Sequence, residues 1–315
     1  MIEARGLTKR YGDKMAVDDL TFTVQPGIVT GFLGPNGAGK STTMRMLLGL
    51  DAPTKGTATI GGRRYVDQPA PLHEVGALLE ARAVHTGRSA RNHLLALAAT
   101  TGIGRHRVEE VIDLVGLSGV AGKRAGGFSL GMGQRLGIAS ALLGDPGTLI
   151  LDEPVNGLDP EGILWIRNLL KSLAAEGRTI FVSSHLMSEM AQTASHLIVI
   201  GRGRLIADVG VDELTQMTSR DLVKVRTSEA ARLRELLAGE GVVVTGQGSE
   251  ELEVAGLDSA QIGLVAARAG IPLIELTPQR ASLEEAFMEI TRDALEYPTS
   301  HEPAGILVGA EGVSR

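Results

Sequence analysis

The segment GPNGAGKST has the residue types and spacing of a loop that binds phosphate. It matches the pattern G-x-x-x-x-G-K-[ST], whose glycines let backbone N–H groups wrap around the β- and γ-phosphates without a Cβ clash. Lys40 adds a positive charge, and the Ser41 hydroxyl is a ligand type for Mg²⁺. A chance glycine turn would not reproduce all the fixed positions together. This phosphate loop comprises Gly34, Pro35, Asn36, Gly37, Ala38, Gly39, Lys40, Ser41 and Thr42.

Two adjacent carboxylates end the apolar segment LILDEP. Asp152 stands where a carboxylate can hold the water shell of Mg²⁺. Glu153 follows directly and is suited to accept a proton from an attacking water molecule. Two acids also end strands without any catalytic role, but the phosphate loop upstream favours the catalytic interpretation.

A second anion-binding pattern follows in FSLGMGQRLGIASALL, where Ser129 and Gly131 precede a segment of helical character. The start of a helix presents free backbone N–H groups and the positive end of the helix dipole. Two anion sites in one chain serve two ligands, or two copies of the chain share each ligand. The residues alone leave both possibilities open.

Two further residues are candidates by position. His185 ends RTIFVSSH, the next predicted strand after LILDEP, and parallel strands deliver their C-terminal ends to one crevice. Taken singly, a histidine at the end of a strand is more often structural than catalytic. Tyr11, in KRYGDK, either stacks on a base or is an ordinary surface tyrosine.

These residues need a framework of strands and helices to position them. TFTVQPGIVTGFLG predicts strand, turn and strand, and TTMRMLLGL after the loop has helical spacing. TKGTATIGG predicts a further strand, residues 92–143 predict helices, PEGILWIRNLLKSLAAEG an amphipathic helix, and LIVIGRGRLIADV a hairpin. We therefore predict an α/β domain over residues 1–215.

The pattern changes after residue 215. Segments from DLVKVRT to PLIELTPQ predict the order βαββαβ, which is typical of a ferredoxin-like unit. SLEEAFMEITRDAL predicts a closing helix, with Ser282 and Glu285 at the spacing of a capping box. We assign residues 216–295 to an accessory domain and predict that residues 296–315, rich in Pro and Gly without periodicity, are disordered.

Composition narrows the class of protein. The chain has 315 residues, no cysteine and a net charge of −6, so disulfides and thiolate chemistry are excluded. The negative net charge argues against sequence-independent binding to nucleic acids. The sequence has no apolar run of about 18 residues and no signal-peptide core at its start. We predict a cytoplasmic protein unless a partner anchors it.

Together these motifs resemble the nucleotide-binding subunits of ABC transporters over residues 2–215. FSLGMGQR stands where that family places its LSGGQ signature, NGLD matches the D-loop, and SSH matches the switch. The resemblance implies an α/β P-loop ABC ATPase domain with a mixed sheet core, an antiparallel β subdomain and a helical subdomain. A small C-terminal α+β ferredoxin-like domain would follow it.

The resemblance also implies a mechanism. Two copies of the chain pack head to tail, the signature of one closes over ATP held by the other, and a separate integral membrane permease is driven from the inner face of the membrane. ATP and Mg²⁺ are the implied cofactors. The implied roles are adenine stacking by Tyr11, Mg²⁺ binding by Ser41, Asp152 and Glu80, water activation by Glu153, γ-phosphate sensing by His185, and contacts across the dimer by Ser129, Gly131 and Asp159.

Some positions depart from the family pattern. Glu80 stands in place of the glutamine of the Gln-loop, and Leu130 and Met132 replace the usual signature residues. Such variants resemble a branch of single-domain ATPases that serve drug, antibiotic and lipid exporters, similar to daunorubicin-type self-resistance proteins. SLEEAFMEIT resembles the accessory domain of the same branch.

Two other functions are possible for a chain with a phosphate loop. A soluble ABC ATPase acting on DNA or ribosomes is one alternative. However, repair relatives insert a long coiled coil before the signature, and ribosome-acting relatives usually carry two cassettes. A P-loop kinase is the other alternative, and the DEP, NGLDP and SSH segments disfavour it. The transported substrate is not encoded here, because the family keeps substrate contacts in the permease.

Overall fold

The computed structural model describes residues 1–80, 84–218, 222–246, 250–279 and 283–291. The strands are β1 (Ile2–Tyr11), β2 (Lys14–Val24), β3 (Val29–Leu33), β4 (Lys55–Ile60), β5 (Val75–Leu78), β6 (Thr148–Leu151), β7 (Thr179–Ser183), β8 (His196–Gly201), β9 (Arg204–Gly210), β10 (Leu222–Arg226), β11 (Val243–Thr245), β12 (Glu251–Ala255) and β13 (Glu275–Gln279). The α-helices are α1 (Lys40–Leu47), α2 (Pro71–Glu74), α3 (Ala90–Ala99), α4 (Arg105–Leu114), α5 (Leu130–Leu142), α6 (Pro160–Ala175), α7 (Met187–Thr193), α8 (Val211–Thr218), α9 (Ala230–Leu237), α10 (Ser259–Ala269) and α11 (Leu283–Thr291).

The central sheet has the order β5-β6-β7-β3-β8-β9, with β9 antiparallel and the other strands parallel. Every residue of β3, β6 and β7 is buried, which explains why these segments are continuous apolar runs. Because β6, β7 and β3 are parallel neighbours, the residues that follow them meet at one edge of the sheet. The phosphate loop, Asp152 and His185 therefore lie at the same edge.

An antiparallel sheet in the order β2-β1-β4 packs on the central sheet through three phenylalanine rings. The ring centre of Phe22 on β2 lies 5.8 Å from that of Phe32 on β3 and 5.7 Å from that of Phe181 on β7. Met44 and Leu47 of α1 belong to the same cluster. Apolar burial thus holds the helix that follows the phosphate loop.

Helices α3, α4 and α5 form the helical region predicted for residues 92–143. Arg91 and Glu109 join α3 to α4 through two hydrogen bonds of 2.7 and 3.0 Å. The helix α5 contacts the edge strand β5, a strand that was not predicted from the sequence. In the described parts of the chain, no helix is both apolar and long enough to traverse a bilayer.

Strands β10 to β13 and helices α9 and α10 form the predicted βαββαβ unit, with the sheet order β11-β12-β10-β13 and antiparallel pairing throughout. Alternate residues such as Val223 and Val225 are buried against the helices. Asp258 and Gln261 form a reciprocal capping box at the start of α10. This is the antiparallel arrangement of a ferredoxin-like fold.

The helix α11 does not pack on that sheet. Its residues Leu283, Ala286 and Phe287 belong to the main core cluster of the first domain, and it contacts α7 and α8. By packing, α11 therefore extends the core of the first domain, whereas the sequence pattern predicted it as part of the accessory domain. Ser282 of the predicted capping box and the tail 296–315 lie outside the described residues.

Candidate nucleotide site

A cavity of about 450 Å³ opens between the phosphate loop and the ends of the central strands. It brings together most of the residues expected to handle a nucleotide. The cavity is lined by Tyr11, Lys14, Ala16, Pro35, Asn36, Gly37, Ala38, Gly39, Lys40, Ser41, Thr42, Asp152 and Glu153.

The phosphate loop turns sharply into α1 at Gly39. Its φ of 103° lies in the region that favours glycine, and a Cβ there would lie 2.5 Å from the Ala16 carbonyl oxygen. The backbone N–H groups from Gly39 to Thr42 begin the helix, where they have no acceptor one turn earlier. They are available to an anion in the cavity.

Lys40 lies inside this loop and is only 8% exposed. Its Nζ donates a hydrogen bond to the Gly34 carbonyl oxygen at 2.6 Å. Burial lowers the pKa of the Lys40 ammonium, and the charges of Glu153 and Asp152 oppose that shift. The ammonium is thus held where an anion on the loop would meet it.

Asp152 is held by two hydroxyl groups. Ser41 donates to Asp152 Oδ2 at 2.7 Å, and Ser183 donates to the other carboxylate oxygen. The second contact follows from the register of the sheet, because Leu151 pairs with Val182. Hydroxyl and carboxylate oxygens are the donors that Mg²⁺ prefers, with phosphate and water completing its shell. The residues present therefore fit Mg²⁺, and no group of three or more His, Asp or Glu in the described part of the chain offers a separate metal site.

Glu153 has a left-handed backbone conformation with a φ of 51°, which is uncommon for a residue with a Cβ. Two hydrogen bonds hold its backbone. Its N–H donates to Ser183 Oγ at 3.0 Å, and its carbonyl accepts from Gln134 Nε2 at 3.1 Å. The surrounding structure thus fixes a strained residue whose carboxylate faces the cavity, as is typical of functional sites.

The Glu153 carboxylate also meets His185. Nδ1 of His185 lies 2.7 Å from Glu153 Oε2, and the His185 backbone N–H donates to the same oxygen at 3.3 Å. The structure thus places His185 beside Glu153, although His185 is not among the residues that line the phosphate-loop cavity. In this conformation one carboxylate oxygen is engaged by the histidine.

Tyr11 lines the cavity with 46% of its surface exposed. Its hydroxyl donates to Asp51 Oδ2 at 2.9 Å, and Arg45 binds the same oxygen at 2.8 Å. Lys9 lies 4.9 Å from the ring centre. These contacts orient a half-exposed aromatic ring, which is what base stacking requires.

Ser129, Gly131 and Asp159 do not line this cavity. Ser129 caps α5 by accepting from the Met132 N–H at 3.2 Å, and Asp159 caps α6 by accepting from the Gly162 N–H at 3.0 Å. Ser129 lines a separate cavity of about 310 Å³. One chain therefore carries a phosphate-loop site and, apart from it, a polar helix start.

Comparison with known proteins decides the family. A family model described as "ABC transporter" matches residues 17–156. The bacitracin transport ATP-binding protein of Bacillus licheniformis is 44% identical over 225 residues, which are 70% of this chain and 74% of that protein. The lantibiotic transport ATP-binding protein of Streptococcus pyogenes is 35% identical over 212 residues, 67% of this chain and 92% of that protein. The chain belongs to the ABC transporter ATP-binding family.

A solved dimeric structure of a bacterial ABC transporter cassette matches with a TM-score of 0.62 and 25% identity, covering 67% of this chain and 99% of that one. The predicted resemblance to ABC subunits and the predicted fold class are confirmed. This ABC subunit binds and hydrolyses ATP as part of a transporter. A second family model, described as a domain of unknown function, matches residues 221–284.

Glu80 lies in a different place from the other candidate Mg²⁺ ligands of this ABC subunit. It lines a neighbouring cleft of about 380 Å³, together with apolar side chains that include Leu79 and Leu97. It is not among the residues that line the phosphate-loop cavity. Its assignment to the metal stays a prediction.

Two residues that support the ABC site were not predicted from the sequence. Ser183 links Asp152 to Glu153, and Gln134 links the signature helix α5 to the Glu153 carbonyl. The signal for Ser183 was the parallel pairing of LILDEP with RTIFVSSH, which places it beside Asp152. The contact of Gln134 has no comparable signal in the sequence.

Proposed function

We propose that this ABC subunit forms a head-to-tail dimer on ATP at the inner face of the membrane and drives a separate permease that exports a drug, an antibiotic or a lipid-like compound. The observation that carries the proposal is the separation of the phosphate-loop cavity from the helix starts at Ser129 and Asp159 within one chain. The relatives named for bacitracin and lantibiotic transport support an antibiotic as the cargo.

In this proposal the phosphate loop and Lys40 bind the β- and γ-phosphates. Ser41 and Asp152 would hold Mg²⁺, and Glu80 would act on its shell through water. Mg²⁺ bound there neutralises charge on the phosphates. Tyr11 stacks on the adenine. The hydrogen bonds from Ser41 and Ser183 keep the Asp152 carboxylate oriented before any ligand arrives.

Glu153 acts as the general base. A water oxygen bonds to the γ-phosphorus, the bond from that phosphorus to the bridging oxygen of ADP breaks, and the water's proton passes to the Glu153 carboxylate. His185, at 2.7 Å from that carboxylate, contacts the γ-phosphate while ATP is bound and returns to Glu153 when the phosphate leaves. This exchange makes His185 a sensor of hydrolysis.

The second anion site serves the partner. Ser129 and Gly131 begin the thirteen-residue helix α5, whose free N–H groups and dipole favour an anion. In a twofold dimer the loop of each copy meets the helix start of the other. Asp159, at the start of α6, acts across the same interface. Each of the two composite sites then uses both copies.

The cleft beside Glu80 is the proposed contact with the permease. Its lining is largely apolar, and Leu50 at its rim is 58% exposed. His93 lines the same cleft and is 8% exposed, and among the described residues its Nδ1 has no hydrogen-bond partner. An amphipathic cytoplasmic segment of a permease would cover the apolar lining with its apolar side chains and supply a polar group as the hydrogen-bond partner of His93. Through this contact the subunit is held at the membrane.

A pull-down from detergent-solubilised membranes of the native host tests the proposal. Tagged Glu153→Gln protein with Mg-ATP is the bait, Lys40→Ala is the control with weakened nucleotide binding, and mass spectrometry identifies what is recovered. We expect a polytopic membrane protein in near-equal amount with Glu153→Gln. Recovery of ribosomes, DNA or only soluble proteins would favour the alternative, a soluble ABC ATPase.

A further inference from the structure

The helix α7 begins two residues after His185 and has only seven residues. So short a helix gains little stability from its own hydrogen bonds, and no side chain of the described residues caps its first turn. Its position is therefore set by the elements packed against it. An element that holds α7 also acts on the adjacent segment that carries His185.

One set of contacts comes from α6 and β3. Arg167 of α6 donates to Glu189 at 2.6 Å and to Gln192 at 2.7 Å. Met190 covers Gly31 of β3 so closely that a Cβ at Gly31 would lie 2.6 Å from the methionine sulfur. These contacts anchor α7 to the central sheet and to the helix that starts at the D-loop.

A second set of contacts comes from α11. Leu283, Ala286 and Phe287 are 4%, 0% and 7% exposed and share a core cluster with Met190 of α7. Their spacing places them on one apolar stripe, whereas the adjacent Met288 is 56% exposed. The apolar stripe of α11 is thus buried against the ATPase domain, next to the helix α7 that follows His185.

The accessory sheet joins the ATPase domain through two short connections. Three residues separate the end of α8 from the start of β10, and three separate the end of β13 from the start of α11. The helices α8 and α11 also contact each other. Both chain connections of the accessory sheet therefore enter the ATPase domain at this helix pair.

We propose that Phe287 is a positioning residue for hydrolysis. With its stripe it packs against α7, and through α7 it sets the orientation of His185 toward Glu153 and so the rate at which the site turns over. The proposal rests on the role given above to His185. It requires no contact between Phe287 and the nucleotide.

The test compares Phe287→Ala with Met288→Ala, a matched truncation on the exposed side of the same helix, in the full chain. We expect Phe287→Ala to lower kcat about tenfold, because a displacement of about 1 Å at a catalytic group costs up to about a hundredfold. KM for ATP and the affinity for a fluorescent ATP analogue stay within about twofold, since the phosphate loop is untouched. Hydrogen exchange of residues 187–193 becomes faster in Phe287→Ala only, and Phe287→Leu restores kcat.

A value of kcat for Phe287→Ala within about twofold of the parent, with nucleotide binding intact, overturns the inference. If Phe287→Ala loses its cooperative melting transition, Ile290→Val, a milder truncation on the same stripe, is compared with Met288→Ala by the same criteria. His185→Ala is measured in parallel. If His185→Ala hydrolyses ATP at the parent rate, both the proposed role of His185 and the inference are wrong. If His185→Ala is inactive while Phe287→Ala has a normal kcat, only the inference is wrong.

Discussion

Replacing Ser183 by alanine tests whether one hydroxyl organises both acidic residues of the site. Ser183 is fully buried, accepts the Glu153 N–H at 3.0 Å and donates to Asp152. Loss of the hydroxyl leaves the Glu153 N–H without its acceptor, at about 1–3 kcal/mol, and removes a bond to a charged carboxylate, at about 1.5–3 kcal/mol. Relaxation of Glu153 from its φ of 51° recovers about 1 kcal/mol.

The net loss in the free energy of unfolding is then about 1.5–5 kcal/mol. At about 2–4 °C per kcal/mol, thermal unfolding should show a decrease in Tm of about 3–20 °C. The Mg²⁺ concentration for half-maximal hydrolysis should rise about tenfold, because Asp152 loses a group that orients it. Ser184→Ala is the control, since Ser184 is 2% exposed and its hydroxyl accepts only the Leu186 N–H in the described contacts. Equal effects of the two variants on Tm, with Mg²⁺ dependence unchanged in both, would refute the reasoning.

Four further outcomes are expected. Lys40→Ala removes a charge-assisted contact of about 1.5–3 kcal/mol and should weaken binding of a fluorescent ATP analogue about 10- to 100-fold; unchanged binding would contradict the loop assignment. Glu153→Gln should bind ATP normally but lose about 100-fold or more in kcat, and near-normal steady-state hydrolysis would exclude it as the base. Tyr11→Ala should raise KM for ATP about tenfold through lost stacking, with no such effect for Tyr11→Phe. Gln134→Leu should lower kcat with KM unchanged, because its bond to the Glu153 carbonyl is lost, and a rise in KM alone would argue for a role in nucleotide binding.

The parts of the site that are local in sequence could be predicted. The phosphate loop binds through its own backbone, and Asp152 and Glu153 follow a strand whose apolar run marks it as central. The order βαββαβ follows from alternating strand and helix patterns in 222–279. In each case the residues that determine the feature lie within one segment.

The contacts between segments could not be predicted in the same way. The apolar stripe of α11 requires a partner, but the spacing of Leu283, Ala286 and Phe287 is equally suited to the accessory sheet and to the ATPase domain. Packing on α7 and α8 is a tertiary outcome. Likewise, the position of Glu80 in a cleft apart from Asp152 depends on how the edge strand β5 ends, and a four-residue strand gives little pattern from which to predict it.

Glu153 is where the separate elements of the subunit converge. Its backbone is bonded to Ser183 at the end of β7 and to Gln134 of α5, and its carboxylate to His185, which precedes α7. The helix α5 begins with the residues proposed to meet the partner's nucleotide, and α7 is packed against the helix that returns from the accessory domain. Each of these hydrogen bonds contributes on the order of 1 kcal/mol, while the phosphate loop has its own contacts. A shift at the dimer interface or in the accessory domain should therefore change the rate at which bound ATP is hydrolysed more than the affinity with which it is held.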